Sequence, residues 1–343
     1  MKGNFLICLY ALASLLAVLS YGHEHVHDHD HGHVHDHEHG HSHTHHHDHG
    51  PNEGHTHGHN HKHSKIGHKC IHDQIQPHVK VHTNAQTYVN HPKDRKLDEV
   101  TYTSSSYSSI RIHLDTSMLN EGQDSGKVCR EGTSEYTYKN GGTTYRSQCS
   151  KDDILTAEKR AFLMNTVLPR AKQFLEQSLS VIPVSGNLKL ERFCPYTIAG
   201  KKCCATHSQC TYSETNECYD VNIPGSHEST GISGTDYILY VTGRPTQGST
   251  IAWAASCRKD QHNRPIAGQA NFGPNRINPE ADIEEQVSTA IHEMMHALGW
   301  SNSHFEYYTK PNGDAYSSGP LKTFYQNGKQ VTKLVTPKVS DHI

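Results

Sequence analysis

The sequence predicts an α+β domain that begins about one hundred residues into the chain. Residues 109–115 alternate apolar with polar side chains, which favours a half-buried strand, and residues 152–179 place apolar side chains near helical spacing. Two further apolar runs, at 236–242 and 251–255, have the composition of strands. Together these segments predict a twisted sheet packed against helices.

The helix predicted over 152–179 contains a proline and is followed by a cysteine-rich segment. Pro169 should kink or divide the helix, because proline lacks an amide hydrogen and its ring clashes with the preceding turn. Residues 184–220 carry five closely spaced cysteines and only a short apolar alternation, so we expect a loop region held by disulfides. The apolar positions of the helix are Ala157, Ala161, Leu163, Met164, Val167, Leu168, Phe174 and Leu175.

A second helix should begin at Asn278-Pro279-Glu280 and end before Gly299. Asparagine is a favoured capping residue, proline suits the first helical position, and acidic side chains complement the positive end of the helix dipole. The helix should run to Leu298, because Gly299 stops it. The segment 307–343 is turn-rich and weakly patterned, so no element is predicted there.

Residues 1–22 have the layout of a secretory signal peptide, with one lysine, an apolar run over 5–19 and small residues at its end. Cleavage is expected after Gly22. The alternative is an uncleaved membrane anchor, but the apolar run is shorter than the roughly 20 residues that a bilayer core requires. We therefore expect a protein of the secretory pathway, extracellular or at the cell surface, that is soluble or peripherally attached to a membrane.

Ten cysteines in an exported chain indicate disulfides. Cys8 would leave with the signal peptide, and Cys70 stands alone far upstream of the others. The remainder is even, as a disulfide framework requires, although the pairing cannot be deduced from the sequence. This remainder comprises Cys129, Cys149, Cys194, Cys203, Cys204, Cys210, Cys218 and Cys257.

Residues 23–66 form a histidine-rich segment with almost nothing apolar to bury, so it should be disordered. Neutral imidazole binds zinc, copper and nickel, so the tract from His23 to His63 should bind additional divalent metals. A simple repeat that expanded in a tolerant region would have the same composition. Residues 67–100 are polar and weakly patterned, as a propeptide or linker would be, and the folded domain should occupy 101–343.

The formal net charge is −3 when all 33 histidines are counted as neutral. A chain with this charge is not expected to bind nucleic acid. The charge holds only well above the ordinary histidine pKa of about 6.5, so acidification would make the precursor strongly cationic.

The motif that carries chemistry is His292-Glu293-Met294-Met295-His296, inside the second predicted helix. Residues four apart lie on one helix face, so both imidazoles can reach a single ion, and Glu293 can reach a water bound to it. Zinc accepts nitrogen ligands and lowers the pKa of bound water, and Glu293 would then act as the general base. The alternative is a core helix whose two histidines are satisfied by hydrogen bonds. The surrounding apolar positions and the glycine directly beyond the motif favour the metal site.

Several stretches of the chain resemble the leishmanolysin family of metzincin peptidases. They are 292–301, the strand 110–113, the propeptide-like motif 68–73, and Trp253-Ala254, Cys257, Asp260, Arg264-Pro265, Gly268, Asn271 and Pro274. The resemblance covers the chain from about Gly67 to its end. It implies a zincin or metzincin-like catalytic domain with a twisted sheet and an active-site helix, one catalytic zinc ion held by His292 and His296, and hydrolysis of protein or peptide substrates.

The same resemblance implies a role for Cys70. In such precursors the propeptide thiolate occupies the zinc position that water needs, which keeps the enzyme latent until the propeptide is cut away. A metal-bound thiol is deprotonated, and thiolate is a strong zinc ligand. The alternative is a thiol in a disordered segment that stays unreacted or forms an intermolecular disulfide.

The metzincin pattern also requires a third histidine and a methionine-containing turn. Many families place that histidine three residues after the helix-ending glycine, where this chain has Asn302. Leishmanolysins supply it after an insertion, into which 336–339 fits, so we expect the C-terminal part of the domain to be missing from this chain. The alternative is a natural short product with impaired catalysis. His304 and His342 are the remaining candidates for the third ligand.

Three functions follow from these patterns. The first is a zinc metalloendopeptidase with Glu293 as general base, kept latent by Cys70. The second is a catalytically impaired adhesion or binding protein on the same fold, because the third ligand is not identified. The third is a metal-handling protein in which the histidine tract does the work.

Overall fold

A computed structural model gives the fold of most of the chain. The predicted signal peptide, the histidine-rich segment and His342 lie outside the residues that it describes, and so do five of the ten cysteines. Helices and strands are mixed, which confirms the α+β class. The described residues are 70–79, 82–83, 100, 106–140, 143–190, 197–198, 201–202, 216–260, 262–310, 314, 316, 319–326 and 328–336.

The central sheet has five strands in the order β1-β14-β15-β13-β3. β14 and β15 run antiparallel, whereas the other three neighbouring pairs run parallel. The remaining strands form two-stranded ladders. In chain order the strands are β1 His82–Thr83, β2 Ser108–Ser109, β3 Ile112–Asp115, β4 Glu135–Asn140, β5 Thr143–Gln148, β6 Ser180–Val181, β7 Asn187–Leu188, β8 Thr197–Ile198, β9 Lys201–Lys202, β10 Glu217–Cys218, β11 Val221–Asn222, β12 Ile232–Ser233, β13 Tyr237–Thr242, β14 Ala252–Lys259, β15 Pro265–Phe272, β16 Leu321–Gln326 and β17 Lys329–Leu334.

The longest described helix is α5, which packs on β14, β15 and α3. None of the helices in the described ranges is both long enough and apolar enough to cross a bilayer. The α-helices are α1 His72–Ile75, α2 Ala157–Phe162, α3 Leu168–Ser178, α4 Gly225–Ser229, α5 Ile283–Ala297 and α6 Asn302–Phe305. Short 3₁₀ turns lie at Gln76–His78, Ser117–Leu119 and Pro274–Arg276, and a π-helical turn lies at Leu163–Val167.

The core lies on both faces of the central sheet. Along β13, Tyr237, Leu239 and Val241 point to the face that packs on α3 and α5. Ile238 and Tyr240 point to the other face, where loops and short strands cover them. Because successive side chains of a strand alternate between faces, β13 is buried along its whole length, and the predicted strand at 236–242 is confirmed.

The helix predicted over 152–179 begins later than the pattern indicated. Thr156 caps α2, since its hydroxyl accepts a hydrogen bond from the Lys159 amide at 3.2 Å. Ser150 and Asp153 hold the preceding residues in a turn through side-chain hydrogen bonds. The division at Pro169 is confirmed, because a π-helical turn ends just before it and the proline lies in the first turn of α3, where a missing amide hydrogen is tolerated.

β15 has no counterpart among the predicted strands, and β14 extends four residues beyond the predicted 251–255. Every residue of β15 is buried, so its sequence lacks the alternation that marks a half-buried strand. Gly268 lies at its centre, where a Cβ would stand 2.3 Å from the Tyr237 hydroxyl and 3.1 Å from the Ala297 Cβ. The glycine therefore allows α5 to lie close against the sheet, and the Tyr237 hydroxyl donates a hydrogen bond of 2.8 Å to the Ala297 carbonyl.

The predicted start of the second helix is wrong and its end is confirmed. Asn278 accepts a hydrogen bond from the Glu280 amide, which forms a local turn that competes with helix. The capping residue is Asp282, whose carboxylate accepts from the Glu284 amide at 2.9 Å. At the other end Gly299 has a φ of +101°, a left-handed conformation that stops the helix.

A short helix and a two-stranded hairpin follow Gly299, and neither was predicted. α6 begins three residues after Gly299, and β16 and β17 form an antiparallel hairpin. The hairpin is mostly exposed. Because few of its side chains are buried, its sequence does not need to alternate apolar and polar residues. Residues 337–339, which the family insertion was expected to include, lie outside the described part.

Two disulfides connect described cysteines. Cys129 pairs with Cys149, and Cys218 pairs with Cys257 on β14. Both pairs come from the eight cysteines that the sequence assigned to a disulfide framework. The second pair links the short β10–β11 ladder to the central sheet.

Candidate metal centre

Three donor atoms meet beside the C-terminal half of α5. The Nε2 atoms of His292 and His296 are 3.1 Å apart, and the Sγ atom of Cys70 is 3.2 Å from the His296 Nε2. All three atoms lie within 4.8 Å of one another. The structure thus brings together the two helix histidines and the propeptide cysteine that the sequence singled out, although 222 or more positions separate Cys70 from them.

The helix holds these side chains in a fixed arrangement. His292 and His296 are four residues apart, so they project from the same face of α5. Met294 and Ala297 face the core and anchor the helix to the sheet. Glu293 follows the first ligand, and its side chain is 0 % exposed. The motif therefore places a buried carboxylate beside two partly exposed imidazoles.

His296 is oriented by the backbone just beyond the helix. Its Nδ1 atom lies 2.7 Å from the Trp300 carbonyl oxygen. Because a carbonyl only accepts hydrogen bonds, Nδ1 carries the hydrogen, and the lone pair of Nε2 faces the other donor atoms. The tight turn at Gly299 brings that carbonyl back over the ring, so the helix stop predicted from the sequence also positions a ligand.

The segment 70–79 contributes an imidazole and a side-chain amide near the same site. His72 stacks on His296 with 4.1 Å between ring centroids and 4° between ring planes. The His72 Nδ1 atom donates to the Ala254 carbonyl at 2.6 Å, and Gln76 hydrogen-bonds to the backbone of Ser256. Sequence reasoning gave neither residue a role. The available sequence signal was that His72 and Gln76 are four residues apart, a spacing that places two side chains on the same face of a helix.

The donor set fits a zinc ion. Thiolate and imidazole are the ligands that zinc prefers, and bonds of about 2.0–2.3 Å in a tetrahedral site separate the ligand atoms by roughly 3.3–3.7 Å. The observed separations of 3.1 and 3.2 Å are close to this range. Among the described residues, no further His, Cys, Asp or Glu side chain joins the group.

His304, a candidate third ligand from the sequence, is used elsewhere. Its Nε2 atom lies 3.0 Å from the Ser256 hydroxyl on β14, and its Nδ1 atom lies 3.2 Å from the Ser303 hydroxyl. The side chain is 3 % exposed. Burial, with smaller contributions from Lys259 and His72, lowers the pKa of His304 to about 3. The structure therefore places it as a neutral contact between α6 and the sheet, and the other candidate, His342, lies outside the described residues.

Replacing His304 with glutamine should remove an acid-sensitive contribution to stability. The folded pKa of about 3 lies below the ordinary value of 6.5, so the unfolded chain binds the proton first as the pH falls. The contribution is complete above pH 6.5 and is lost progressively between about pH 6.5 and pH 3. The difference in unfolding free energy between wild type and His304→Gln should shrink by up to about 1.4 kcal/mol per pH unit in urea titrations. The exposed His78→Gln is the control, and a pH-independent difference would contradict the assignment.

The comparisons with known proteins agree with this geometry. The family model described as leishmanolysin matches residues 68–339. A leishmanolysin homolog of Crithidia fasciculata is 33 % identical over 157 residues, which are 46 % of this chain and 21 % of that protein. A leishmanolysin-like peptidase of Drosophila melanogaster is 32 % identical over 196 residues, which are 49 % of this chain and 29 % of that protein. Leishmanolysin of Leishmania chagasi is 27 % identical over 261 residues, which are 70 % of this chain and 39 % of that protein.

The chain spans between about a fifth and two fifths of the length of these relatives. The family match nevertheless covers most of the chain, and it includes Cys70, the central sheet and α5. The family match therefore includes the residues of the candidate metal centre. This chain belongs to the leishmanolysin family.

Proposed function

We propose that this protein is a zinc metalloendopeptidase that cleaves protein or peptide substrates. The observation that carries the proposal is the pair of imidazole nitrogens 3.1 Å apart on α5, with the buried Glu293 directly after the first histidine on the same helix. This is the arrangement that metal-assisted hydrolysis requires, since the ligands and the proton acceptor occupy one rigid helix. Membership of the leishmanolysin family supports the same reaction.

His292 and His296 would hold the zinc ion through their Nε2 atoms. The bound ion would polarise the substrate carbonyl and lower the pKa of the attacking water. Glu293 would accept a proton from the attacking water and pass it to the leaving amine, as general base and then general acid. The hydrogen bond from His296 Nδ1 to the Trp300 carbonyl fixes the ring and leaves the Nε2 lone pair available to hold the ion.

Cys70 would keep the precursor latent. Its Sγ atom lies 3.2 Å from the His296 Nε2, so the thiolate would be a third ligand of an ion held by the two imidazoles, in place of the attacking water. Thiolate is a strong zinc ligand, so it competes with water for that position. Removal of the propeptide would vacate the position and allow hydrolysis.

The location of the protein is proposed from its sequence and its disulfides. The chain begins with a segment that has the layout of a signal peptide, and two disulfides connect described cysteines. Disulfides persist in oxidising compartments. We expect a secreted or surface protein, and peripheral attachment to a membrane remains part of that expectation.

A catalytically impaired binding protein is the second candidate. It is favoured by the fact that the described residues supply two histidine ligands and a propeptide thiol, with no fourth donor among them. Two imidazoles alone hold zinc weakly, which would lower both affinity and rate. The two candidates predict different outcomes when the catalytic carboxylate is removed.

The zinc assignment is tested by counting metal in the purified precursor. After dialysis, mass spectrometry of metals should find one more zinc ion per chain in wild type than in the variant with His292→Asn and His296→Asn. The histidine tract contributes equally to both proteins, so the difference reports the helix site. Equal zinc content would reject the metal centre and with it the proposed reaction.

A further inference from the structure

The propeptide contacts the edge of the central sheet through side chains. Gln76 is only 4 % exposed. Its Nε2 atom donates to the Ser256 carbonyl at 3.1 Å, and its Oε1 atom accepts from the Ser256 amide at 2.9 Å. A primary amide that both donates and accepts in this way takes the place of a peptide group in a neighbouring strand. Gln76 therefore satisfies one backbone position of β14 without being in a strand.

His72 acts one helical turn earlier. Its Nδ1 atom donates to the Ala254 carbonyl at 2.6 Å. Four residues of helix advance about 6 Å, and two residues of strand advance about 6.7 Å, so side chains at 72 and 76 can meet backbone groups at 254 and 256 in register. A single helical turn thus hydrogen-bonds to backbone groups of two alternate residues of β14, namely the Ala254 carbonyl and the amide and carbonyl of Ser256.

Backbone pairing continues where the helical turn ends. In β1, His82 lies opposite Arg258 and Thr83 lies opposite Lys259, in a parallel ladder. The propeptide therefore occupies the edge of β14 from residue 254 to residue 259, first with side chains and then with backbone. Closer to the metal centre, where Cys70 contacts His296 on α5, the propeptide is helical and not extended.

We propose that Gln76, together with His72, is a latency determinant separate from the Cys70 thiol. An extended peptide that adds to a sheet edge needs the same outward-facing amide and carbonyl groups that Gln76 and His72 now hold. The propeptide turn would thus exclude substrate from β14 while the thiol blocks the metal position. The inference rests on the proposed peptidase function for its biological meaning, although the contact itself does not depend on catalysis.

Two independent contacts change what activation requires. Loss of the thiol alone leaves Gln76 and His72 on the strand edge, and His72 still stacks on His296. Removal of Gln76 alone leaves the thiol at the metal position. Full release should require that both contacts are lost, as happens when the propeptide is cut away.

The contact is tested in the full precursor by hydrogen exchange at the Ser256 amide. Gln76→Ala should raise the exchange rate by about tenfold or more, because this buried amide loses its acceptor. Cys70→Ala should leave the rate within about twofold of wild type. Gln74→Ala is the matched control, since Gln74 is exposed on the same helical turn. Gln76→Glu keeps the side-chain size but loses the donor to the Ser256 carbonyl, so its rate should fall between wild type and Gln76→Ala.

Activity measurements then test the role in latency. Cleavage of an unfolded protein by the uncut precursor should rise modestly in Cys70→Ala and at least about tenfold further in the variant that also carries Gln76→Ala. Unchanged exchange at Ser256 in both Gln76 variants would overturn the contact. Equal activity of Cys70→Ala and the double variant would overturn the latency role. If even the propeptide-free protein shows no Glu293-dependent cleavage, the proposed function fails, while the exchange result still decides the contact.

Discussion

Glu293→Gln is expected to lower kcat/KM for protein cleavage by about two to four orders of magnitude, which is the usual contribution of a positioned general base. The Glu293 side chain is fully buried and directly follows His292 on α5. We expect no exposed group of the helix to take its place as the proton acceptor. Glutamine has the same size and keeps the packing of the helix. The measurement is a progress curve with an unfolded protein substrate and propeptide-free enzyme.

The controls for this variant separate chemistry from folding. Zinc content should equal that of wild type, because His292 and His296 remain. Glu285→Gln alters an exposed glutamate on the same helix and should leave kcat/KM within about twofold. Cleavage that survives Glu293→Gln would reject the mechanism, and partner binding without cleavage in wild type would support the binding-protein alternative.

The local part of the metal centre was predictable because one helix carries it. The spacing of His292 and His296 fixes their common face, and Gly299 fixes the end of α5. The start of that helix was not predictable from caps alone. Asn278 and Asp282 are both good capping residues, and the helix begins at the second because the first is engaged in a turn with Glu280.

The nonlocal part was recovered only where a family motif carried it. Resemblance pointed to Cys70 as a ligand, and the structure places its sulfur beside His296. Nothing in the sequence showed that Gln76 replaces a peptide group of β14, because that role depends on which strand is at the sheet edge. His304 is the opposite case. Its proximity in sequence to α5 suggested a metal ligand, but its side chain hydrogen-bonds to Ser256 on β14 instead.

Burial also hides elements from sequence patterns. β15 is covered on both faces and contains glycine, glutamine and asparagine, so neither alternation nor strand-forming composition marked it. Its polar residues are hydrogen-bonded inside the fold. Asn271 accepts from the Arg244 amide and donates to the Arg244 carbonyl, which fixes the segment that follows β13.

Arg244→Met is expected to destabilise the domain by about 3–5 kcal/mol, as the removal of one partner from a buried ion group does. The guanidinium lies between two carboxylates, with Nε 2.5 Å from Asp124 and Nη1 2.6 Å from Asp220. The Arg244 side chain is 9 % exposed, and those of its partners are less exposed. Although burial lowers the pKa of Arg244, Asp220 and Asp124 outweigh it and raise that pKa. Methionine fills the space but leaves two buried carboxylates facing each other.

The pH dependence and the controls identify the cause of this loss. Burial raises the pKa of Asp220, but Arg244, Lys127 and a hydrogen bond with Gln269 together outweigh burial and hold that pKa below the ordinary value. In wild type that contribution is therefore present above about pH 4 and is lost as the pH falls further. In Arg244→Met the carboxylates repel each other, so the deficit should shrink as acid neutralises them. Adding Asp124→Asn and Asp220→Asn should recover most of the loss at pH 7, because no buried charge is then left unpaired.

Arg146→Met provides the comparison with an exposed ion pair. Arg146 lies 3.2 Å from Glu135 on the β4–β5 hairpin, with side chains 75 % and 48 % exposed. Water screens such a pair, so its removal should change the unfolding free energy by less than about 1 kcal/mol in urea titrations. A similarly small loss for Arg244→Met, or a loss that the two asparagine substitutions do not reduce, would mean that the buried charges do not hold this part of the fold. The contrast matters for the metal centre because Arg244 fixes the end of β13, which pairs with β15, and β15 carries α5 at Gly268.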